Sequence, residues 1–380
     1  MPNNHVIEFV VTARPSWSRV KNLINEFIAI NNEKNVTITL LGPSLSKNYG
    51  NIENQMPGGV TVKTFKTLFS DDSLSSITLS SLEGARSLVS SWETKTPDAV
   101  LVIADRTETL GVSLAAATMQ IPLIHLQGGE ISGSIDDKIR DANSKLADFH
   151  LTTNSYTYSN LIKLGENKDN IRIIGCPSVD LVKNRLAINS SLKNYASDYG
   201  GVGYDFDTHS EYGLILFHPD TFDSKRNLEW INEILNLTHV TDLNWFWFWP
   251  NTDYGSAKIS KLLRSARENE SKNKIRFLVN LPPEEFIDLS ISSKMLIGNS
   301  SFGIREASYL GLPVINLGNR QKGRQRAENV LDIHDPASIY SDFNKHIGRI
   351  FKSSDLYGAG NSGKLGAEAL NLWLPKVKSR

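Results

Sequence analysis

The sequence predicts an α/β protein built from two doubly wound parallel sheets, and three observations carry that prediction. Short β-rich runs recur along the 380 residues with helix-length segments between them. Most of the runs are almost continuously apolar, as strands covered on both faces are, whereas a sheet wetted on one face alternates. The pattern lapses once, after residue 188, and resumes at 213, so the runs fall into two sets.

The first set comprises 5–13 (HVIEFVVTA), 36–42 (VTITLLG), 60–65 (VTVKTF), 99–105 (AVLVIAD), 121–127 (IPLIHLQ), 149–154 (FHLTTN) and 171–176 (IRIIGC). Residues 188–212 are polar and rich in Gly and Tyr without a period, which reads as a linker or long loop. The second set comprises 213–220 (GLILFHPD), 244–251 (NWFWFWPN), 275–280 (IRFLVN), 294–300 (KMLIGNS) and 313–318 (PVINLG). The expected domains are therefore 1–185 and 186–380, with the last helix a candidate to pack back on the first. Ligands of such sheets sit beyond the carboxyl ends of the strands, here in a cleft expected between the domains. The run Trp245, Phe246, Trp247, Phe248, Trp249 resembles a stacking platform, but consecutive aromatics point to opposite faces, so a strand buried on both sides is the expected outcome.

Composition excludes several function classes. Lys+Arg and Asp+Glu balance at 41 each, so no global field favours nucleic acid. No run of 18 apolar residues predicts a membrane span. One cysteine, Cys176, rules out an internal disulfide framework and a Cys-rich metal site, and no cofactor or metal motif stands out. The N-terminal stretch MPNNHVIEFVVTARP lacks the features of a signal peptide, which makes the cytoplasm the expected compartment.

Chemistry concentrates in HLQGGEISGSIDDKIRDANSKLADFH (125–150), which holds five carboxylates. Ser134 and Asp137 fit a capping box, placing a helix start at about Ile135. Ile135, Ile139, Ala142 and Leu146 then form an expected buried stripe, and Asp136, Arg140 and Asn143 a neighbouring one facing the mouth of the sheet. An ordinary solvated i,i+4 ion pair is the alternative. Other strand ends are polar too: Arg14 to Ser18 and Arg19 after the first strand, Asp105-Arg106, His218-Pro219, and Asn251 to Asp253. Each alone would pass as structural; together they mark a site. In 296–330, Gly298-Asn299-Ser300-Ser301-Phe302-Gly303 opens a helix carrying Glu306, a pattern suited to a diphosphate and a ribose diol. The alternative is a capped helix with Arg320, Lys322, Arg324 and Arg326 as solvated surface charge.

Together, HLQGGEISGSIDDKIRDANSKLADFH, GCPSVD, FHPDT, PNTDYGS and GNSSFGIREASYLGLPVINLGNRQKGR resemble the hydrolysing UDP-N-acetylglucosamine 2-epimerases, from about residue 7 to about 335. The NLGNRQKGR segment resembles the hydrolysing rather than the non-hydrolysing branch. The resemblance implies a GT-B-like fold of two Rossmann-type domains, and release of a free C2-inverted sugar of the N-acetylmannosamine type, a precursor of sialic or nonulosonic acids, with UDP. It implies that Ser300 and Ser301 bind the diphosphate, Glu306 the ribose, with Phe286 near the uracil. Arg14, Ser18, His218, Asn251 and Arg320 complete the implied UDP-sugar set. Asp105 and Asp136 occupy acid/base positions, Arg140 the associated cationic one, and Glu130 and His218 complete the catalytic candidates. No cofactor is implied; the partners are the UDP-sugar and a homodimer or homotetramer.

Three positions depart from the family pattern: Gln127 where a functional glutamate is usual, TARPSWSRVK at the first strand end, and Asp141 in place of a histidine. An amide cannot exchange protons as a carboxylate does. Altered specificity follows as an expectation, for a 2,4-diacetamido-trideoxy sugar nucleotide for example. A GT-B glycosyltransferase and a UDP-sugar-binding protein without turnover are the alternatives.

Overall fold

The computed structural model describes residues 5–45, 52–67, 73–133, 135–188, 193, 195–220, 224–250, 256–269 and 274–377. The chain divides into two compact units: Met1–Ile131, Ile135–Asp180 and Tyr357–Arg380 form the first, Ser132–Ser134 and Leu181–Leu356 the second. The division falls at 180/181 where the sequence suggested 185/186, and residues 357–380 belong to the first unit.

In the first unit seven strands, β1 (Ile7–Val11), β2 (Val36–Leu41), β3 (Thr61–Phe65), β4 (Ala99–Ile103), β5 (Leu123–Leu126), β6 (Phe149–Thr152) and β7 (Ile171–Ile173), form one parallel sheet in the order β3-β2-β1-β4-β5-β6-β7. Side chains alternate across a strand, and the two faces bury different cores. Ile7, Phe9 and Val11 of β1 join Leu101 and Ile103 of β4 against α1 (Arg14–Ile30) and α14 (Ser362–Trp373). Val10, Val100 and Val102 face α2 (Leu74–Thr94) and α3 (Thr107–Thr118) through Leu88, Trp92 and Val112. Burial on both faces is why these strands read as continuous apolar runs. The last helix, α14, packs on α1 of this unit.

The second unit repeats the design. Strands β9 (Tyr212–Leu216), β10 (Asn244–Phe248), β11 (Ile275–Leu278), β12 (Leu296–Gly298) and β13 (Val314–Leu317) are the expected ones. The sheet adds β8 (Val202–Gly203) and β14 (Val330–Ile333) at its edges, in the order β14-β13-β12-β9-β10-β11-β8, with only β8 antiparallel. The aromatic run splits as alternation demands: Trp245 and Trp247 bury on the side of α8 (Ser224–Val240), Phe246 and Phe248 on the opposite side with Leu214 and Leu216. The expected linker 188–212 is not without structure, since it holds α7 (Tyr195–Tyr199) and β8.

Strand order reverses between β1 and β4 in the first sheet, and between β9 and β12 in the second. In open α/β sheets the loops leaving the strands diverge at such a reversal, and ligands bind there. Arg14 and Asp105 follow β1 and β4; His218 and Asn299 follow β9 and β12. Among the described residues no helix is long and apolar enough to cross a membrane, and no three His, Cys, Asp or Glu side chains gather as a metal site.

Candidate active site

In the first unit the site is built around α4 (Asp136–Leu146), and the helix lies the opposite way round from the pattern expected of it. Arg140 and Asn143 are fully buried, with Ser144 beside them. Ile135 is 43% exposed, and Ile139, Ala142 and Leu146 are only half-buried. The apolar stripe is therefore not the buried one. The N-cap is Ile135, with no side-chain cap bond; Ser134, expected to cap, lies outside the described residues. What turns the polar stripe inward is the set of partners waiting there.

Arg140 carries three of them. Its Nη2 donates to the Asp105 carboxylate, and its Nη1 donates to Asp137 Oδ1 (2.6 Å) and to the Glu130 carbonyl oxygen (2.7 Å). Burial opposes the charge, but the Asp105, Glu130 and Asp137 carboxylates outweigh it and push the guanidinium pKa up, so Arg140 is a permanent cation. Within the helix Asp137, at i−3, is bonded to Arg140, and Asp136 is half-buried at the first turn. Glu130 is buried, with Oε1 accepting from Thr153 Oγ1 at 3.1 Å.

Gln127 is buried at the end of β5 in the left-handed region (φ 68°), and its Nε2 donates to Cys176 Sγ (3.1 Å). Its Oε1 has no hydrogen-bond partner among the described residues. A buried acceptor in that state is costly unless something else reaches it. Gly129 then turns the chain with φ 79°; a Cβ there would lie 2.3 Å from the Thr157 carbonyl oxygen, so only glycine fits. Asp141 is exposed. Arg14 opens α1 half-buried, its pKa lowered to about 10 by burial, which still leaves it charged at neutral pH. Ser18 sits one turn later and donates to the Pro15 carbonyl (2.9 Å).

In the second unit Asn299 organises the strand ends. Its side chain clasps the His218 backbone twice: His218 N–H donates to Oδ1 (2.8 Å) and Nδ2 donates to the His218 carbonyl (2.8 Å). The Asn299 carbonyl in turn accepts from Gln321 Nε2 (2.9 Å) and Arg320 Nη1 (3.3 Å). Arg326 fixes that loop with all three guanidinium nitrogens, Nε on Asp332 (2.9 Å to Oδ2), Nη1 on the Arg324 carbonyl (2.5 Å) and Nη2 on the Gln321 carbonyl (2.8 Å), while Arg324 donates to Gln321 Oε1. Reading Arg324 and Arg326 as solvated surface charge is therefore incorrect; they hold the loop.

Ser300 caps α11 (Ser301–Ile304), accepting from Phe302 N–H (3.4 Å). The expected single helix breaks at Arg305, and α12 (Glu306–Leu310) begins anew. Arg305 is buried and donates to Ser301 Oγ (2.9 Å). Glu306 is buried beside it (Arg305 Nε to Oε2, 3.8 Å), and its Oε2 has no hydrogen-bond partner among the described residues. Phe286, on α10 (Pro283–Ile291), packs edge-on against Phe248 and Phe302 at 5.1 and 4.8 Å. Asn251 lies outside the described residues.

The structure thus gathers Asp105, Glu130 and Arg140 in one unit, with Asp136 at the first turn of α4, and places His218, Ser300, Ser301, Glu306 and Arg320 in the other. Sequence reasoning gave Asp137 only a capping role and assigned no function to Thr153, His125, Gln321 and Arg305. Asp137 was visible as an i−3 neighbour of Arg140; the others had no periodic signal.

A family model described as UDP-N-acetylglucosamine 2-epimerase matches residues 28–371. The chain is 32% identical over 242 residues to a Legionella pneumophila protein named UDP-N,N'-diacetylbacillosamine 2-epimerase (hydrolyzing), covering 64% of this chain and 62% of that one. It is 30% identical over 331 residues to a Campylobacter jejuni protein named GDP/UDP-N,N'-diacetylbacillosamine 2-epimerase (hydrolyzing), covering 85% and 83%. The fold matches the crystal structure of Methanocaldococcus jannaschii UDP-GlcNAc 2-epimerase in complex with UDP-GlcNAc and UDP, with a TM-score of 0.80 at 16% identity over 96% of this chain and 99% of that one. The GT-B-like architecture expected from the sequence is the one observed.

Proposed function

The chain belongs to the UDP-N-acetylglucosamine 2-epimerase family, and we propose that it is a hydrolysing 2-epimerase, converting a UDP-2-acetamido sugar to the free C2-inverted sugar and UDP. The observation that carries this reading is the buried Arg140 with Asp105, Asp137 and Glu130 around it, at the strand ends where such sheets bind ligands. The two hydrolysing relatives support the choice of branch.

The chemistry runs in two halves. A base takes the C2 proton, the C2 electron pair forms the C1=C2 double bond, and the C1–O bond breaks to release UDP. Water then adds its hydroxyl at C1 while an acid delivers a proton to the opposite face of C2, so the sum is hydrolysis with inversion. Asp105 and Asp136 are the assigned acid and base, Arg140 fixes Asp105, and Glu130 supports the arginine. Gln127 cannot carry protons; its free Oε1 orients the sugar by accepting an N–H or O–H. Ser300, Ser301, Arg320 and His218 hold the diphosphate, Glu306 the ribose and Phe286 the uracil, with Arg14 and Ser18 completing the set. A 2,4-diacetamido-trideoxy sugar is the first substrate to test, on the strength of the two relatives and of Gln127, and UDP-GlcNAc the second.

The experiment is product analysis by NMR in deuterated water with both UDP-sugars. The reading expects free sugar inverted at C2, deuterium at C2, and UDP. A nucleotide-linked epimer would assign the non-hydrolysing reaction instead; a retained sugar without deuterium, or transfer only with an added acceptor, would overturn epimerisation. Asp105→Asn and Asp136→Asn should each lower kcat by roughly 100-fold while leaving UDP affinity unchanged, and Glu306→Ala should weaken UDP.

A further inference from the structure

Ala104 joins β4 to Asp105 with φ 55°, a left-handed conformation that is strained for a residue with a Cβ. Such a turn persists only if its surroundings over-determine it. The Ala104 N–H donates to the Leu126 carbonyl (2.9 Å). Its carbonyl oxygen has both lone pairs engaged, by Asn143 Nδ2 (3.2 Å) and His125 Nε2 (3.0 Å). We propose that His125 and Asn143 are positioning residues for Asp105: together they hold the Ala104 carbonyl and so fix the turn from which Asp105 reaches Arg140.

The tautomer of His125 follows from this geometry. A carbonyl oxygen carries no proton, so Nε2 is the donor, and Nδ1 is bare and accepts from Ser144 Oγ (3.0 Å). The ring is completely buried, and burial lowers its pKa to about 3. The neighbouring His150 and Arg140 act in the same direction, while the bond to Ala104 and the Asp105 charge oppose them. His125 is thus a fixed donor over the working pH range and moves no protons. Gly128 leaves room for this pair, because a Cβ there would lie 2.8 Å from Ser144 Oγ and 2.9 Å from His125 Nδ1. The buried polar stripe of α4 is thereby explained: Arg140 holds the Asp105 carboxylate, Asn143 the Ala104 carbonyl, and Ser144 the ring that shares it.

The assignment rests on reading Asp105 as an acid/base group, and its test separates the two. Histidine ¹⁵N NMR of the full chain should show one neutral Nε2–H ring for His125 from pH 8 to pH 5; an Nδ1–H ring, or protonation within that range, would overturn the proposal. In a crystal structure of His125→Leu the Asp105 carboxylate should leave Arg140, and an unmoved Asp105 would also overturn it. Both readouts hold even if the parent turns over no UDP-sugar, a result that would fail the functional reading alone. With turnover, His125→Leu and Asn143→Ala should lower kcat roughly 10- to 100-fold, as displaced catalytic groups do, with UDP affinity unchanged. His125→Gln, whose amide nitrogen can replace Nε2 as donor, should restore most of the rate. If His125→Leu does not fold, Asn143→Ala decides: parental kcat in that variant is incompatible with the proposal.

Discussion

Replacing Arg140 by methionine removes a buried cation of similar length and leaves its partners behind. Three acceptors lose an Arg140 N–H: the Asp105 carboxylate, Asp137 Oδ1 and the Glu130 carbonyl. Breaking a buried pair by deleting one partner costs about 3–5 kcal/mol, because the other charge remains uncompensated. Here the two aspartates retain 16% and 23% exposure, so water recovers part of the loss and the lower end, about 3 kcal/mol, is expected. Lysine keeps the charge but not the planar fork, and its shorter side chain ends in one nitrogen where the acceptors are spread over Nη1 and Nη2, so Arg140→Lys should lose roughly 1–2 kcal/mol. In Asp137→Asn/Arg140→Met one stranded charge is gone, and the double variant should be more stable than Arg140→Met by roughly 0.5–1 kcal/mol. Urea titration monitored by hydrogen exchange of β4, β5 and α4 peptides reads the first unit alone. Stability of Arg140→Met within about 0.5 kcal/mol of the parent, the range of an ordinary surface substitution, would refute the reasoning.

Asn299→Ala strands a buried N–H and carbonyl of His218, and it should weaken UDP binding roughly tenfold, about 1.4 kcal/mol, in calorimetry; unchanged affinity would mean that His218 keeps its place without the clasp. Gly129→Ala combines a left-handed φ with a 2.3 Å clash on backbone and should cost about 2–4 kcal/mol in chemical unfolding, whereas a neutral variant would show that the turn can shift. Burial holds His125, His150 and His346 below the ordinary histidine pKa of 6.5, against the bonds that favour their charge. The unfolded chain therefore binds more protons than the native one, and stability is present above pH 6.5 and lost as pH falls below it. The slope approaches about 1.4 kcal/mol per pH unit for each histidine. Unfolding at pH 7.5 and 5.5 should show a shallower loss for His150→Gln than for the parent, and parallel lines would exclude His150 as a contributor.

The sequence by itself determined the two-sheet architecture, because strands buried on both faces are apolar at most positions. Phe9 and Val10, or Trp245 and Phe246, point into different cores and are both required to be apolar. It also placed Asp105, His218 and the Asn299–Ser301 segment, since strand ends are legible wherever an apolar run stops. The two edge strands of the second sheet escaped for the same physical reason: β8 has two exposed residues, and β14 is mostly half-buried with Asp332 in it, so neither needs an apolar run. Only the tertiary structure decided which face of α4 is buried. Periodicity compares a side chain with water and buries Ile135, leaving Arg140 on a neighbouring face at the mouth of the sheet. The folded chain compares Arg140 with the Asp105 carboxylate and the Glu130 carbonyl, and Asn143 and Ser144 with a turn held by His125, acceptors and donors that come from the end of β4, from β5 and from the loop between β5 and α4. Those partners are distant in sequence, and the energy of meeting them exists only once the sheet has brought the strand ends together.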